Sequence, residues 1–251
     1  MRAAWSEDYA WENIATEYSK LSLTFPKDKL PALSGVAAKI AQHQRDRLGR
    51  YVAGCWEGTL AADLGWSLGF FDGVARPSAW RAPTWSWLSV DAPIWQLHPA
   101  YLKLGFGSIT ATIVDVDCAL VGQDEFGELL SVRIRVAAWL EEAILFYEST
   151  VRRPEKPKWF YYVQTGHSTE RELSVHPDYD IHTPGRHHLP SGSRVYLMEL
   201  VRGSRVDEGF SLLLRCIHQD KQIYERVGAV EYTTREQPGL SENGKTTITL
   251  V

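Results

Sequence analysis

Four of the eight histidines fall in one polar stretch, His176-Pro177-Asp178-Tyr179-Asp180-Ile181-His182-Thr183-Pro184-Gly185-Arg186-His187-His188. Imidazole and carboxylate both ligate metals, and imidazole is the usual general base near neutral pH. His176 and Asp178, spaced His-x-Asp, join His218 and the later Arg226 in supplying the residue types of a non-haem iron facial triad with an oxoacid-binding arginine. A simpler divalent site inside the loop is a second reading. The third, a solvated connection between strands, accounts best for the many turn formers. Elsewhere, Asp115 and Asp117 share one strand face and would separate in pKa if buried together. An amphipathic strand normally carries such residues on its solvent face, and that is the expectation here.

The second concentration of chemistry is Arg81-Ala82-Pro83-Thr84-Trp85-Ser86-Trp87-Leu88-Ser89-Val90-Asp91. Pro83 fixes its own φ and extends Ala82, after which the alternation of Trp85, Trp87 and Ser89 with Ser86, Leu88 and Val90 predicts the start of a strand. The rings serve either as an aromatic core plug or as a stacking wall in an apolar pocket. In the pocket reading Trp85, Trp87 and Trp95 form the walls. Arg81 donates to a carbonyl or carboxylate, and Asp91 or His98 supplies acid–base chemistry. No phosphate-cradling glycine loop, nucleophile elbow or zinc-type Cys/His spacing occurs. No cofactor or metal is therefore expected.

The elements that must position these groups change character along the chain. Trp5, Tyr9, Ile14 and Tyr18 recur at helical spacing over residues 4–20. Leu33, Val36, Ala37 and Ile40 form the next stripe, with Pro31 in its first turn and Gly49 as its stop. A short helix is expected near Leu60–Gly65. Beyond residue 84 the pattern is of strands: Ile109–Leu120, Leu130–Trp139 (with Val132, Ile134 and Val136 on one face), Ile144–Glu148, Trp159–Gln164, Ser193–Val201, Phe210–Ile217 and Tyr224–Tyr232. Thr246–Val251 reads as an added edge strand, after a mobile stretch from Gln237 to Lys245. Leu212-Leu213-Leu214 reads as buried on both faces. The implied fold is α+β, a helical unit over 1–80 packed on an antiparallel β-barrel or β-sandwich over 81–251.

Several blocks carry a family resemblance: Glu17-Tyr18-Ser19, Leu23-Thr24-Phe25, Asp28-Lys29-Leu30-Pro31-Ala32-Leu33-Ser34-Gly35-Val36-Ala37, Tyr51-Val52-Ala53-Gly54-Cys55-Trp56 with Leu64 and Trp66, and Arg81 to Asp91. In order and spacing they resemble the region just after the signature domain of fungal heterokaryon-incompatibility (HET) proteins. Val114–Cys118 and Tyr224-Glu225-Arg226-Val227-Gly228 resemble the β-rich tail of that family. The resemblance covers residues 5–95 most closely and implies a HET-type C-terminal module. No counterpart of the signature domain is expected ahead of these blocks, so its activity is not carried over.

Composition narrows the classes further. The chain has 251 residues, 44% of them hydrophobic and 23% charged, with a formal charge of −4. That balance fits an ordinary globular protein and argues against a nucleic-acid surface, which needs clustered Lys and Arg. Eight of the ten tryptophans precede residue 96, so aromatic burial is concentrated in the first half. Cys55, Cys118 and Cys216 have no disulfide or zinc spacing. No apolar run approaches the ~18 residues of a membrane span. A cytoplasmic protein is expected. Two functions follow. One is a module binding an apolar small molecule or a protein partner; the other is a cofactor-independent cyclase or cycloaddition catalyst of fungal secondary metabolism, its aromatic pocket supplying shape and orientation.

Overall fold

The chain is described by a computed structural model that covers residues 10–68, 74–97, 107–150, 158–166, 173–203, 208–233 and 244–251. Helix α1 spans Ala10–Ser19 and, after a 3-10 turn over Pro26–Lys29, helix α2 spans Pro31–Leu48. Pro31 occupies the first turn of α2, where no backbone N–H is needed. Gly49 ends the helix at φ 71°, and its N–H bonds to the Arg45 carbonyl at 2.8 Å. Leu33, Ala37, Ala41 and Leu48 form the buried stripe, whereas Val36 is exposed.

A small hairpin follows, β1 (Tyr51–Val52) with β2 (Cys55–Trp56). Its two-residue tip, Ala53 and Gly54, has φ of 51° and 83°, the left-handed pair that matches strand twist in such hairpins. Helix α3 (Leu60–Asp63) comes next. Then β3 (Trp66–Ser67) pairs antiparallel with β4 (Trp95–Gln96). Asp63 is buried and accepts bonds from the Trp56 N–H and the Thr59 hydroxyl, both at 3.0 Å. Burial nevertheless pushes its carboxyl up to about 7.

The β region consists of β5 (Gly107–Ile109), β6 (Thr112–Leu120), β7 (Leu129–Ala138), β8 (Leu140–Thr150), β9 (Lys158–Thr165), β10 (Leu173–Pro177), β11 (Ser193–Gly203), β12 (Glu208–His218), β13 (Ile223–Thr233) and β14 (Thr246–Leu250). Six of these close into an antiparallel ring in the order β8–β9–β10–β13–β12–β11, with β11 returning to β8. The ring is filled by Leu145, Val163, Val175, Val195, Leu213 and Val227, and the segment after β10 plugs it with Tyr179, Ile181 and Leu189. The outward faces of β11–β13 bear Tyr196, Met198, Leu212, Leu214, Tyr224 and Ala229. These share a second core with Trp66, Trp85 and Trp87 and with Val132, Ile134 and Val136 of β7. Leu212, Leu213 and Leu214 are thus buried on both faces of one strand, and the helical unit and the β region share a continuous interior.

Closure depends on the short β10. It meets β9 through two residue pairs and β13 through three. The second seam brings backbones close: a Cβ on Gly228 would lie 2.8 Å from the His176 carbonyl oxygen. Only glycine fits there.

Two expected elements are corrected. Residues 85–90 form no strand; they make turns and a 3-10 helix over Trp87–Ser89, in which the Ser86 hydroxyl accepts the Leu88 N–H at 3.1 Å. Thr246–Val251 forms no edge. β14 lies inside the sheet, parallel to β13 and antiparallel to β7, with β6 beyond β7 as the outer strand. The stretch 237–243 and His98 lie outside the described residues, and no described helix is long and apolar enough to cross a membrane.

Replacing Gly228 with Ala is expected to cost about 1–3 kcal/mol in urea unfolding, whereas Gly185→Ala, which meets open space, should stay within about 0.5 kcal/mol. Asp63 gives a pH signature. Its folded pKa lies above the unfolded value of 3.8, so the folded state holds the proton longer and stability falls as pH rises from about 4 to 7. Unfolding measured at pH 5 and pH 8 should show Asp63→Asn gaining on the parent by on the order of 2–4 kcal/mol at the higher pH.

Candidate functional site

The tryptophan block is held together by backbone carbonyls that the β1–β2 tip presents. The Trp11 and Trp87 indole N–H groups both donate to the Gly54 carbonyl, at 3.0 and 2.8 Å, and the Ser86 hydroxyl donates to the Ala53 carbonyl at 2.6 Å. A side chain on Gly54 would strike Leu88 at 2.6 Å. The Trp66 indole donates to the Trp85 carbonyl at 2.9 Å. Trp56, Trp66, Trp85 and Trp87 are all 0% exposed. Trp85 and Trp87 therefore present no surface to a ligand. Trp95, the third expected wall, is 66% exposed on β4.

Arg226 joins this block to the barrel. It projects outward from β13 and is fully buried. Its Nε donates to Asp178 Oδ2 at 2.8 Å and its Nη2 to Oδ1 at 3.1 Å. Its remaining donors reach the Leu64 carbonyl at 2.7 Å and the Trp66 carbonyl, and its guanidinium lies 3.5 Å from the centre of the Trp66 ring. Burial pushes the Asp178 carboxyl up and the Arg226 guanidinium down from their ordinary values, while each charge pulls the other back.

This arrangement corrects the iron-triad reading. Both Asp178 oxygens are engaged by Arg226, and His218 lies at the far end of the β12–β13 hairpin, roughly 17 Å along the strand from Gly228. His182 stacks on Trp159 at 4.2 Å and contacts the Tyr161 hydroxyl at 2.6 Å, while His188 contacts the Tyr147 hydroxyl at 3.2 Å. Among the described residues no group of three or more metal-ligating side chains converges. Asp115 and Asp117 stand on the outer strand β6, and Asp117 pairs with Arg133 at 3.2 Å in an exposed position.

Arg81 and Asp91 do come together. Arg81 donates to Asp91 Oδ2 at 3.0 Å and Oδ1 at 2.6 Å, and also to the Leu88 and Val90 carbonyls at 2.7 and 3.0 Å. A third group, which motif reasoning left without a role, completes the cluster. Lys29 is 4% exposed, and its ammonium donates to the Val90 carbonyl and to Asp91 Oδ1 at 3.3 Å. Burial and then the Arg81 charge bring Lys29 down to about 8, against the pull of Asp91. Burial works to raise the Asp91 carboxyl, but Arg81 and Lys29 more than offset it and hold it below its usual range.

The cluster separates two clefts. The first, of about 220 Å³, is lined by Ser19, Lys20, Ser22, Lys29, Asp91 and Pro93 among others. The second, of about 170 Å³, lies between the 76–89 segment and the barrel plug, where Arg76, Trp80, Arg81, Arg186, His187 and Glu225 meet. Arg76 lies over the Tyr179 ring at 4.4 Å and faces Glu225, His187 Nδ1 and the Arg226 carbonyl, each at 3.4 Å. Arg215 pairs with the other Glu225 oxygen. Burial, and then Arg76, lower the His187 pKa, which keeps the ring neutral at pH 7. Sequence reasoning missed this cleft because its residues come from distant segments, and only the fold brings Arg76, His187 and Glu225 together.

Comparisons with known families, with curated proteins and with solved structures give no match.

Replacing Arg226 with Met leaves a buried, unpaired carboxylate and is expected to cost about 3–5 kcal/mol. The pair Arg226→Met with Asp178→Leu should be more stable than Arg226→Met alone. Urea midpoints of the three proteins test this order.

Proposed function

We propose that this chain is a binding module for a small organic carboxylate carrying a planar ring, held in the cleft between Arg76, Arg186 and Trp80. The observation that carries the reading is Arg76. Its three polar contacts among the described residues are all 3.4 Å long, at the weak outer limit of hydrogen bonding, although its side chain is only 10% exposed. A carboxylate in the cleft would offer it short, charge-assisted bonds in their place. Charge supports this: three arginines line the cleft against the single acid Glu225, a balance of +2 with His187 neutral. Trp80 is 52% exposed at the same rim and offers a ring face for stacking. The volume suits one ring with its acid group and little more.

The resemblance to the HET family fits a module of this kind. Its blocks supply Gly54, Trp66, Trp87 and Arg226, whose contacts build one core, so the pattern is accounted for by folding. The ligand reading shifts from apolar to anionic because the expected aromatic walls, Trp85 and Trp87, are sealed inside. The cofactor-free cyclase has less support. Arg81 would have to release Asp91 or a backbone carbonyl before donating to a substrate.

Calorimetric titration with benzoate tests the proposal, with benzyl alcohol as the uncharged control. Benzoate should bind and benzyl alcohol should not. Arg186→Gln is expected to weaken benzoate about 10-fold and Trp80→Ala about 3–10-fold, with folding unchanged because both side chains lie at the surface. Equal binding of the two probes, or an affinity indifferent to both substitutions, would overturn it.

A further inference from the structure

The cleft on the other side of Asp91 holds a chemically different group. Lys29 and Asp91 both line it, together with the hydroxyl residues Ser19 and Ser22 and the second amine, Lys20. Among the described lysines, Lys29 stands apart in being buried while bordering a cavity large enough for a small ligand. Its ammonium faces the Arg81 guanidinium across a shared carboxylate: Asp91 accepts from both, at 3.3 Å from Lys29 and 2.6 Å from Arg81. The neighbouring elements contribute Tyr18, whose hydroxyl donates to the Lys29 carbonyl at 2.8 Å, and Asp28.

We infer that Lys29 is a nucleophilic amine that forms an imine with a small aldehyde or α-keto acid bound in this cleft. The inference does not rest on the carboxylate-binding reading, which concerns the opposite side of the Arg81–Asp91 pair. In the reaction the neutral Nζ attacks the carbonyl carbon, the C–N bond forms, and the π pair moves to oxygen. The two Nζ protons end on that oxygen, which leaves as water as the C=N bond closes. Asp91, ionised and within 3.3 Å of Nζ, accepts the first proton and returns it to the departing hydroxyl. Burial next to another cation is the setting in which lysine becomes a nucleophile at neutral pH. With Lys29 near 8 rather than 10.5, the neutral amine is about 300-fold more abundant at pH 7 than on an ordinary lysine. Lys20, which also lines the cleft, pairs with Glu17 at 2.6 Å and would exchange that partner for the acid group of a keto acid.

Glyoxylate with sodium cyanoborohydride is the direct probe: the hydride reduces the imine to a stable secondary amine, which peptide mass spectrometry locates. On the folded protein at pH 7, Lys29 should be modified at least 10-fold faster than Lys20 or Lys39. The preference should vanish in urea, and the Lys29 rate should level off above about pH 8. Asp91→Asn should slow Lys29 modification at least fivefold without changing the rate at Lys39. Lys29 modified no faster than Lys39 in the folded protein would overturn the inference, as would a preference that persists in urea.

Discussion

Much of this structure hangs on one buried cation. Arg226 stands outside the barrel wall, yet no part of it reaches water, so every donor must be satisfied by protein. Asp178 neutralises it from the turn after β10, the strand that closes the ring. The Leu64 and Trp66 carbonyls accept its other bonds from the helical unit, and the Trp66 ring covers its face. Its backbone N–H is taken by the Thr84 hydroxyl, which also bonds the Val251 carbonyl beside β14. Four separate stretches of chain are thereby fixed against one residue. An apolar side chain would fill the same volume at less desolvation cost. It would not specify direction, and direction is what sets β10, the Leu64–Trp66 segment and the Thr84 turn in register.

The same rule governs the β1–β2 tip. Its carbonyls would be orphans inside an aromatic core; instead two indoles and a serine hydroxyl converge on them. Tryptophan suits this position because it buries a large apolar surface while carrying a single donor that must be aimed somewhere. Trp11, Trp66 and Trp87 are placed by such bonds, whereas Trp56 and Trp85, whose buried indole N–H groups meet no acceptor among the described residues, contribute bulk alone. Partly buried polar groups also gather where segments meet imperfectly. Those are the two clefts flanking the Arg81–Asp91 pair.

The sequence was legible where one physical pattern acted alone. Helix α2 shows this, with Pro31 and Gly49 marking both ends, and so does β7, whose Val132, Ile134 and Val136 alternate cleanly. The stretch 85–90 misled because all six of its residues are buried, so alternation of residue type has no outer face to report. β10 was hidden by its brevity and by its His-Pro ending, which reads as a loop; closure there is a property of Gly228, fifty positions away from the strand it accommodates. The place of β14 could not be read locally, since a parallel neighbour is chosen by the rest of the sheet. Of the candidate residues, Arg81 and Asp91 met as a pair, whereas Lys29 lacked any local signal because its character comes from burial beneath Val90 and Asp91.

The span between Trp66 and Arg226 has a bearing on biosynthesis. The guanidinium that covers the Trp66 ring and satisfies the Leu64 carbonyl lies 162 positions downstream of Leu64. At ordinary translation rates roughly 8–30 s pass between the emergence of the two from a ribosome. Throughout that interval the tryptophan-rich half has its indoles and carbonyls in place but neither its cation nor the outer face of β12 to pack on. A nascent chain of this composition is a natural client for holding chaperones.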